Sequence, residues 1–164
     1  MIINRLESQV YPYPAEMTWF LILIVAIAIQ YVITIYAVTM KTRLRVFNPE
    51  FMEQFKTEHS EAFPDQKMPQ YGYPDCGNGR YGKKLAYADW YAMNNAQRAQ
   101  GNFLEQITFI TGMSIVSAIG YPWISFALFA TYQLGRMIFT ICYAKSGPNS
   151  RIAGALLMDL AIFA

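Results

Sequence analysis

Three residues on one stretch of the chain carry complementary polar chemistry. Arg98, Asn102 and Glu105 are spaced by four and then three, the separation that puts side chains on one face of an α-helix. A second set, Tyr132, Arg136, Phe139 and Tyr143, is spaced by four, three and four, again one helical face. Arg151 follows soon after, and Lys41 and Arg43 stand at the end of an earlier apolar run. Arginine matches carboxylates bidentately; asparagine adds an amide partner, and glutamate accepts from an ammonium. Glu105 and Arg136 would suffice for one ion pair between helices that fixes their register, a purely structural reading. Arg98, Asn102 and Arg151 exceed what one pair needs, and the excess is cationic. The full set suits a small zwitterion bearing two carboxylates.

Composition narrows the chemistry further. Of 164 residues, 54% are hydrophobic and only 15% charged, and the mean hydropathy is +0.18; soluble domains carry about 25% charge. The net charge is +2 and the cations form no single block, which excludes a strongly basic nucleic-acid binder. One histidine, His59, excludes a bis-histidine haem bundle or a histidine-rich di-iron enzyme. Two cysteines, Cys76 and Cys142, cannot make a disulfide framework or a Cys-rich zinc site.

The elements that position these residues are membrane spans. Met17 to Met40 carries no charge, enough for the roughly 20 helical residues a bilayer core requires. Trp19 and Tyr36 are placed like interfacial anchors. The run is too long for a signal peptide and lacks a basic flank or cleavage site. Gln106 to Gly135 is also uncharged, but Gly120-Tyr121-Pro122 interrupts it; proline inside a helix removes a donor and clashes with the preceding turn, so a hairpin is expected there. Ser146-Gly147-Pro148-Asn149 is the next break, and the last apolar piece is short for a full span.

These readings predict an all-α integral membrane four-helix bundle protomer with a shortened fourth helix, in a single transmembrane domain over 1–164. Helices are expected at about 17–40, 88–119, 122–144 and 152–164, with an ordered loop at 41–87. The basic residues agree: Lys41, Arg43, Arg45, Lys56, Lys67, Arg80, Lys83 and Lys84 precede the second helix, and Lys145 and Arg151 flank the last turn. The 120–122 hairpin has no charge, and Arg5 is the one cation of the N-terminal tail. Four helices put both basic loops on one face, the cytosolic or matrix-like one by the positive-inside rule. Within the long loop, Asn48-Pro49-Glu50 reads as N-cap, N1 and first-turn acid, with Phe47 and Phe51 packing the start of a short helix. Phe63 to Gly82 is rich in Pro, Gly and Tyr and is expected to be irregular but held by its aromatics.

At these residues the sequence resembles the MAPEG family, the membrane-associated proteins of eicosanoid and glutathione metabolism, and within it the type-3 microsomal glutathione transferases. Arg98-Ala99-Gln100-Gly101-Asn102-Phe103-Leu104-Glu105 matches the family's R-A-x-x-N-x-x-E motif. Gly135-Arg136, Tyr143, Gly147-Pro148, Arg151 and Gly154-Ala155-Leu156 match the pattern of its third helix and the turn beyond. Lys41 to Val46 is similar to its basic helix-one exit. The resemblance implies a homotrimer that binds glutathione between neighbouring subunits, needs no metal, and sits in an endoplasmic reticulum or mitochondrial membrane. Arg98, Asn102, Glu105 and Arg136 would hold the tripeptide, Tyr143 would contact its body, and Lys41 or Arg43 of another subunit would meet a carboxylate. Arg151 falls close to the family arginine that activates the thiol and is the expected catalytic residue. A thiol is nucleophilic as its thiolate, and an adjacent cation favours that form.

The implied activity is glutathione transfer to lipophilic electrophiles, or glutathione-dependent reduction of lipid hydroperoxides. The chain departs from the family at Phe139 and Gln106, where many members have tyrosine, in its short fourth helix, and in the Tyr11-Pro12-Tyr13-Pro14 tail. Phe139, Gln106 and the short fourth helix favour an alternative: a non-catalytic subunit of a larger membrane assembly, such as a mitochondrial respiratory complex.

Overall fold

Long runs of apolar residues without proline or glycine leave the backbone no way to satisfy itself in a bilayer except as helix, and helix dominates the structure. The computed structural model describes residues 15–164; the tail with Arg5 and Tyr11-Pro12-Tyr13-Pro14 lies outside the described residues. Helix α1 (Ala15–Ile33) continues through a π-helical segment, Thr34–Met40, into α2 (Lys41–Val46). The rod therefore runs past residue 40, where the loss of apolar character suggested an end. Nothing between Met40 and Asn48 breaks a helix, so Lys41, Arg43 and Arg45 extend it. The π-helical stretch buries two hydroxyls: Thr34 donates to Gln30 O at 3.0 Å and Thr39 to Ala96 O at 3.2 Å.

Asn48 then stops the rod and starts the next turn. Its side chain accepts from Phe51 N at 2.9 Å with Pro49 in the first turn of α3 (Pro49–Glu53), and the rings of Phe47 and Phe51 lie 5.8 Å apart. A further short helix, α4 (Lys56–Ala62), follows. The irregular segment beyond is organised by Asp75 as well as by aromatics. The buried Asp75 carboxylate accepts from the backbone N–H of Gly77 (2.6 Å), Gly79 (2.8 Å) and Gly82 (2.7 Å), and Tyr81 stacks its edge on Phe55 at 4.7 Å.

Helices α5 (Tyr87–Gly120) and α6 (Pro122–Ser146) follow, joined at Tyr121. The 34 residues of α5 extend about 50 Å, so its first turns stand beyond the hydrocarbon core. Helix α7 (Ile152–Phe163) has 12 residues and packs along α6. Among the described residues three helices are long and apolar enough to cross a membrane: Met17–Val46, Tyr87–Gly120 and Pro122–Ser146. Their outer faces are apolar, with Val25, Val116 and Ile141 all exposed, the reverse of a water-soluble helix.

Inside, aromatic pairs join the spans: Phe20 with Phe129 at 5.7 Å and Tyr31 with Phe103 at 5.4 Å. Polar glue, effective between helices in lipid, comes from Gln133, which donates to Leu23 O at 2.7 Å and accepts from Gln30 at 3.2 Å. Helices α6 and α7 touch through glycines. A Cβ added at Gly154 would meet Gly135 O at 2.7 Å, so the two backbones approach as closely as small-residue membrane interfaces allow. Gly147 (φ +82°) packs against the hydroxyl end of the Tyr91 side chain, which brings the α6–α7 turn to the same end of the bundle as the long loop.

Candidate functional site

Arg136 is wholly buried, at 0% exposure, on the α6 face that also carries Tyr132, Phe139 and Tyr143. Its Nη2 donates to the Gln106 side-chain carbonyl and to the Tyr132 hydroxyl (3.1 Å), and that hydroxyl donates to Gln106 Oε1 at 3.0 Å. The guanidinium lies 4.9 Å from the Phe139 ring centre and 5.1 Å from that of Phe103. Rings at such distances attract a cation, more strongly when it is desolvated. Arg136 forms no salt bridge among the described residues, so its charge is balanced by a neutral amide and aromatic faces.

Glu105, the partner considered from sequence, is exposed. One residue on a helix turns the side chain by about 100°, so Gln106 faces α6 while Glu105 shares the outer face with Arg98 and Asn102. Arg98 reaches Asn102 Oδ1 at 3.5 Å. Within the protomer these three make no hydrogen bond to the Arg136 group.

Arg151 does join the α6 column. Its guanidinium is 5.8 Å from the Phe139 ring and 5.6 Å from that of Tyr143, and those two rings are 5.6 Å apart. Tyr143 is buried and Arg151 exposed. The α6–α7 turn thus holds a solvent-reaching cation over two aromatic rings.

Lys41 and Arg43 separate. Lys41 is exposed. Arg43 is buried, donates to Tyr71 O at 3.2 Å and lies 4.4 Å over the Tyr73 ring. It pins the long loop to its own helix, which leaves Lys41 as the cation of that pair able to reach outward.

The MAPEG family pattern matches residues 17–164. The chain belongs to the MAPEG family. No curated protein and no solved structure matches it. MAPEG proteins are a membrane family that includes glutathione transferases and related proteins, in keeping with the spans above.

Two residues that bond to Arg136 were not singled out as its partners by the sequence: Gln106 and Tyr132. Gln106 falls at helical spacing from the buried Phe103 and Ile110, and that spacing is the signal that would have found it. Tyr132 also closes one end of an apolar cleft of about 380 Å³ between α5 and α6, walled by Phe109, Met113, Ile124 and Leu128. Ser125 donates to Ser117 there at 2.7 Å. Along α6 the cleft's Tyr132 end is about 16 Å from Tyr143. Among the described residues no group of three metal-ligating side chains comes together.

Proposed function

We propose that this MAPEG protein is a membrane-bound glutathione transferase with glutathione-dependent peroxidase capacity, of the type-3 kind, working as a homotrimer in an endoplasmic reticulum or mitochondrial membrane. The observation that carries this reading is Arg151: an exposed cation held over the Tyr143 and Phe139 rings. In that reading Arg98, Asn102 and Glu105 bind the charged ends of glutathione, and the exposed Lys41 of a neighbouring subunit meets a carboxylate. Arg43 contributes by anchoring the loop. Arg136 shapes the site from behind, since its buried guanidinium is sealed by Gln106, Phe103 and Phe139.

Arg151 supplies the chemistry. A cation beside the glutathione sulfur favours loss of the thiol proton to water. The thiolate then displaces a leaving group from an electrophilic carbon, or attacks a hydroperoxide oxygen, breaking the O–O bond and releasing the alcohol. In the second case another glutathione converts the resulting sulfenic acid to glutathione disulfide and water. The apolar cleft and the lipid-facing helices support a lipophilic co-substrate that arrives from the bilayer. A second reading, a non-catalytic subunit of a larger membrane assembly, is favoured by Gln106, whose carbonyl already satisfies part of the Arg136 guanidinium on α6.

Native mass in mild detergent with glutathione titrated in tests the choice. A trimer of this chain alone that takes up glutathione supports the enzyme. A chain recovered only with other subunits, and indifferent to glutathione, supports the assembly reading.

A further inference from the structure

We propose that Phe139 is a positioning residue for Arg151: its ring, packed on one helix by the buried guanidinium of Arg136, holds the Arg151 guanidinium in place beside Tyr143. The catalytic use of this contact rests on the transferase reading above; the contact itself does not.

The geometry begins with Gly154. A side chain there would run into Gly135 O at 2.7 Å and Phe139 Cα at 2.7 Å. The bare Cα lets α7 settle directly on the α6 backbone at Phe139. Arg151 lies three residues earlier, one helical turn, and so arrives beside that residue's side chain. The ring it meets is 5% exposed, and the guanidinium of Arg136 stands 4.9 Å from its centre. Arg151 stands 5.8 Å from the same centre and 5.6 Å from the Tyr143 ring. One phenyl ring therefore serves two cations, one sealed inside and one at the surface.

Each contact has a separate consequence. Arg136 has Nε and Nη1 without hydrogen-bond partners among the described residues, and the Phe103 and Phe139 rings lie 5.1 and 4.9 Å from its guanidinium. The ring quadrupole compensates the buried charge in part, and that attraction holds the ring in a fixed place. Arg151 carries a long side chain with large rotamer freedom and makes no hydrogen bond or salt bridge among the described residues. The two rings are what restricts it. A phenyl ring performs this task without a hydroxyl, so the departure from tyrosine at position 139 leaves the task intact. Because no carboxylate among the described residues neutralises Arg136, the site behind the ring also stays positive, which favours an anion in front of it.

Replacement of the ring tests the idea with two readouts. Phe139→Leu keeps an apolar side chain and removes the π face; Phe139→Tyr keeps the face. In detergent without glutathione, the rate at which phenylglyoxal modifies Arg151, followed by peptide mass, reports how tightly its guanidinium is held. Phe139→Leu is expected to raise that rate about two- to fivefold, the weight of one exposed cation–π contact, and Phe139→Tyr to restore it. With glutathione saturating, the ultraviolet absorbance of bound thiolate is expected to titrate at higher pH in Phe139→Leu, with glutathione affinity nearly unchanged, and at the original pH in Phe139→Tyr. Equal phenylglyoxal rates in the unmutated protein and Phe139→Leu, both folded by circular dichroism, would overturn the positioning role. A raised rate in Phe139→Leu, but no thiolate in any variant, would uphold the contact and overturn the transferase reading instead.

Discussion

Arg136 and Gln106 face each other across the α5–α6 interface, the guanidinium donating to the amide carbonyl, while Glu105 next in sequence points outward. A neutral amide in that position leaves the buried arginine charged and without an acid partner among the described residues. The pair is also the link between α6 and α5 at this depth, since Tyr132 bonds to both members.

Loss of Gln106 should therefore cost more than loss of the Glu105 charge. We expect Gln106→Leu to lower stability by about 1–3 kcal/mol, because it strands donors of a buried cation, and Glu105→Gln to stay within about 0.5 kcal/mol, as surface changes do. Arg136→Leu, which removes the cation and strands the amide, should be at least as damaging as Gln106→Leu. Thermal unfolding in one detergent ranks the three. If Glu105→Gln proved the most damaging, the partner of Arg136 would have to be reassigned.

The Asp75 loop should respond to acid. Burial raises the Asp75 carboxyl, but hydrogen bonds from the backbone of Gly82, Gly79, Gly77 and Tyr81 outweigh it and hold the group below the ordinary carboxylate value. A depressed folded value means that the ionised form stabilises the loop. That contribution is whole above the unfolded value of about 3.9 and is lost as pH falls through the lower folded value. Trypsin cleavage at Arg80, Lys83 and Lys84 reads loop order at neutral pH. Asp75→Ala should speed it several-fold by stranding the backbone donors that converge on the carboxylate, Gly77, Gly79 and Gly82 among them; an unchanged rate would deny Asp75 its organising role.

Both basic loops should meet the same aqueous phase. Cys76 lies exposed in the long loop, and Asn149 is exposed in the α6–α7 turn. In sealed vesicles a membrane-impermeant maleimide should label native Cys76 from one side only. Asn149→Cys, in a chain with Cys76→Ser and Cys142→Ser, should react from that same side. Labelling from opposite sides would break the arrangement in which α5 and α6 form a transmembrane hairpin.

Arg98 and Arg151 should do different work in the proposed enzyme. Arg98→Ala removes a charge-assisted contact worth roughly 1.5–3 kcal/mol, so glutathione should bind on the order of tenfold more weakly or worse. Arg151→Ala should leave affinity largely intact and raise the pKa of the bound thiol, with the rate at neutral pH falling and recovering toward alkaline pH. Thiolate absorbance across a pH titration separates the two. A thiol pKa unmoved in Arg151→Ala would take the activating role away from this residue.

What the amino-acid order determined by itself is local or additive. The uncharged runs dictate spans because each backbone group must be satisfied within its own helix. Pro122 sets the hairpin and Asn48 the cap, since each acts within a turn of itself. The three-and-four spacings dictate which residues share a face. Tertiary structure decided what those faces meet. It turned Gln106, not Glu105, toward Arg136, because helix rotation about its axis is set by packing on Phe103 and Ile110. It drew Arg43 under the loop, a contact with Tyr71 and Tyr73 some thirty residues on that no periodicity encodes. It set Phe139 between a buried and an exposed arginine, because the distance between α6 and α7 depends on two glycines, Gly135 and Gly154, meeting face to face. Interhelix distance and rotation are properties of the packed bundle, and only there do these residues become one site.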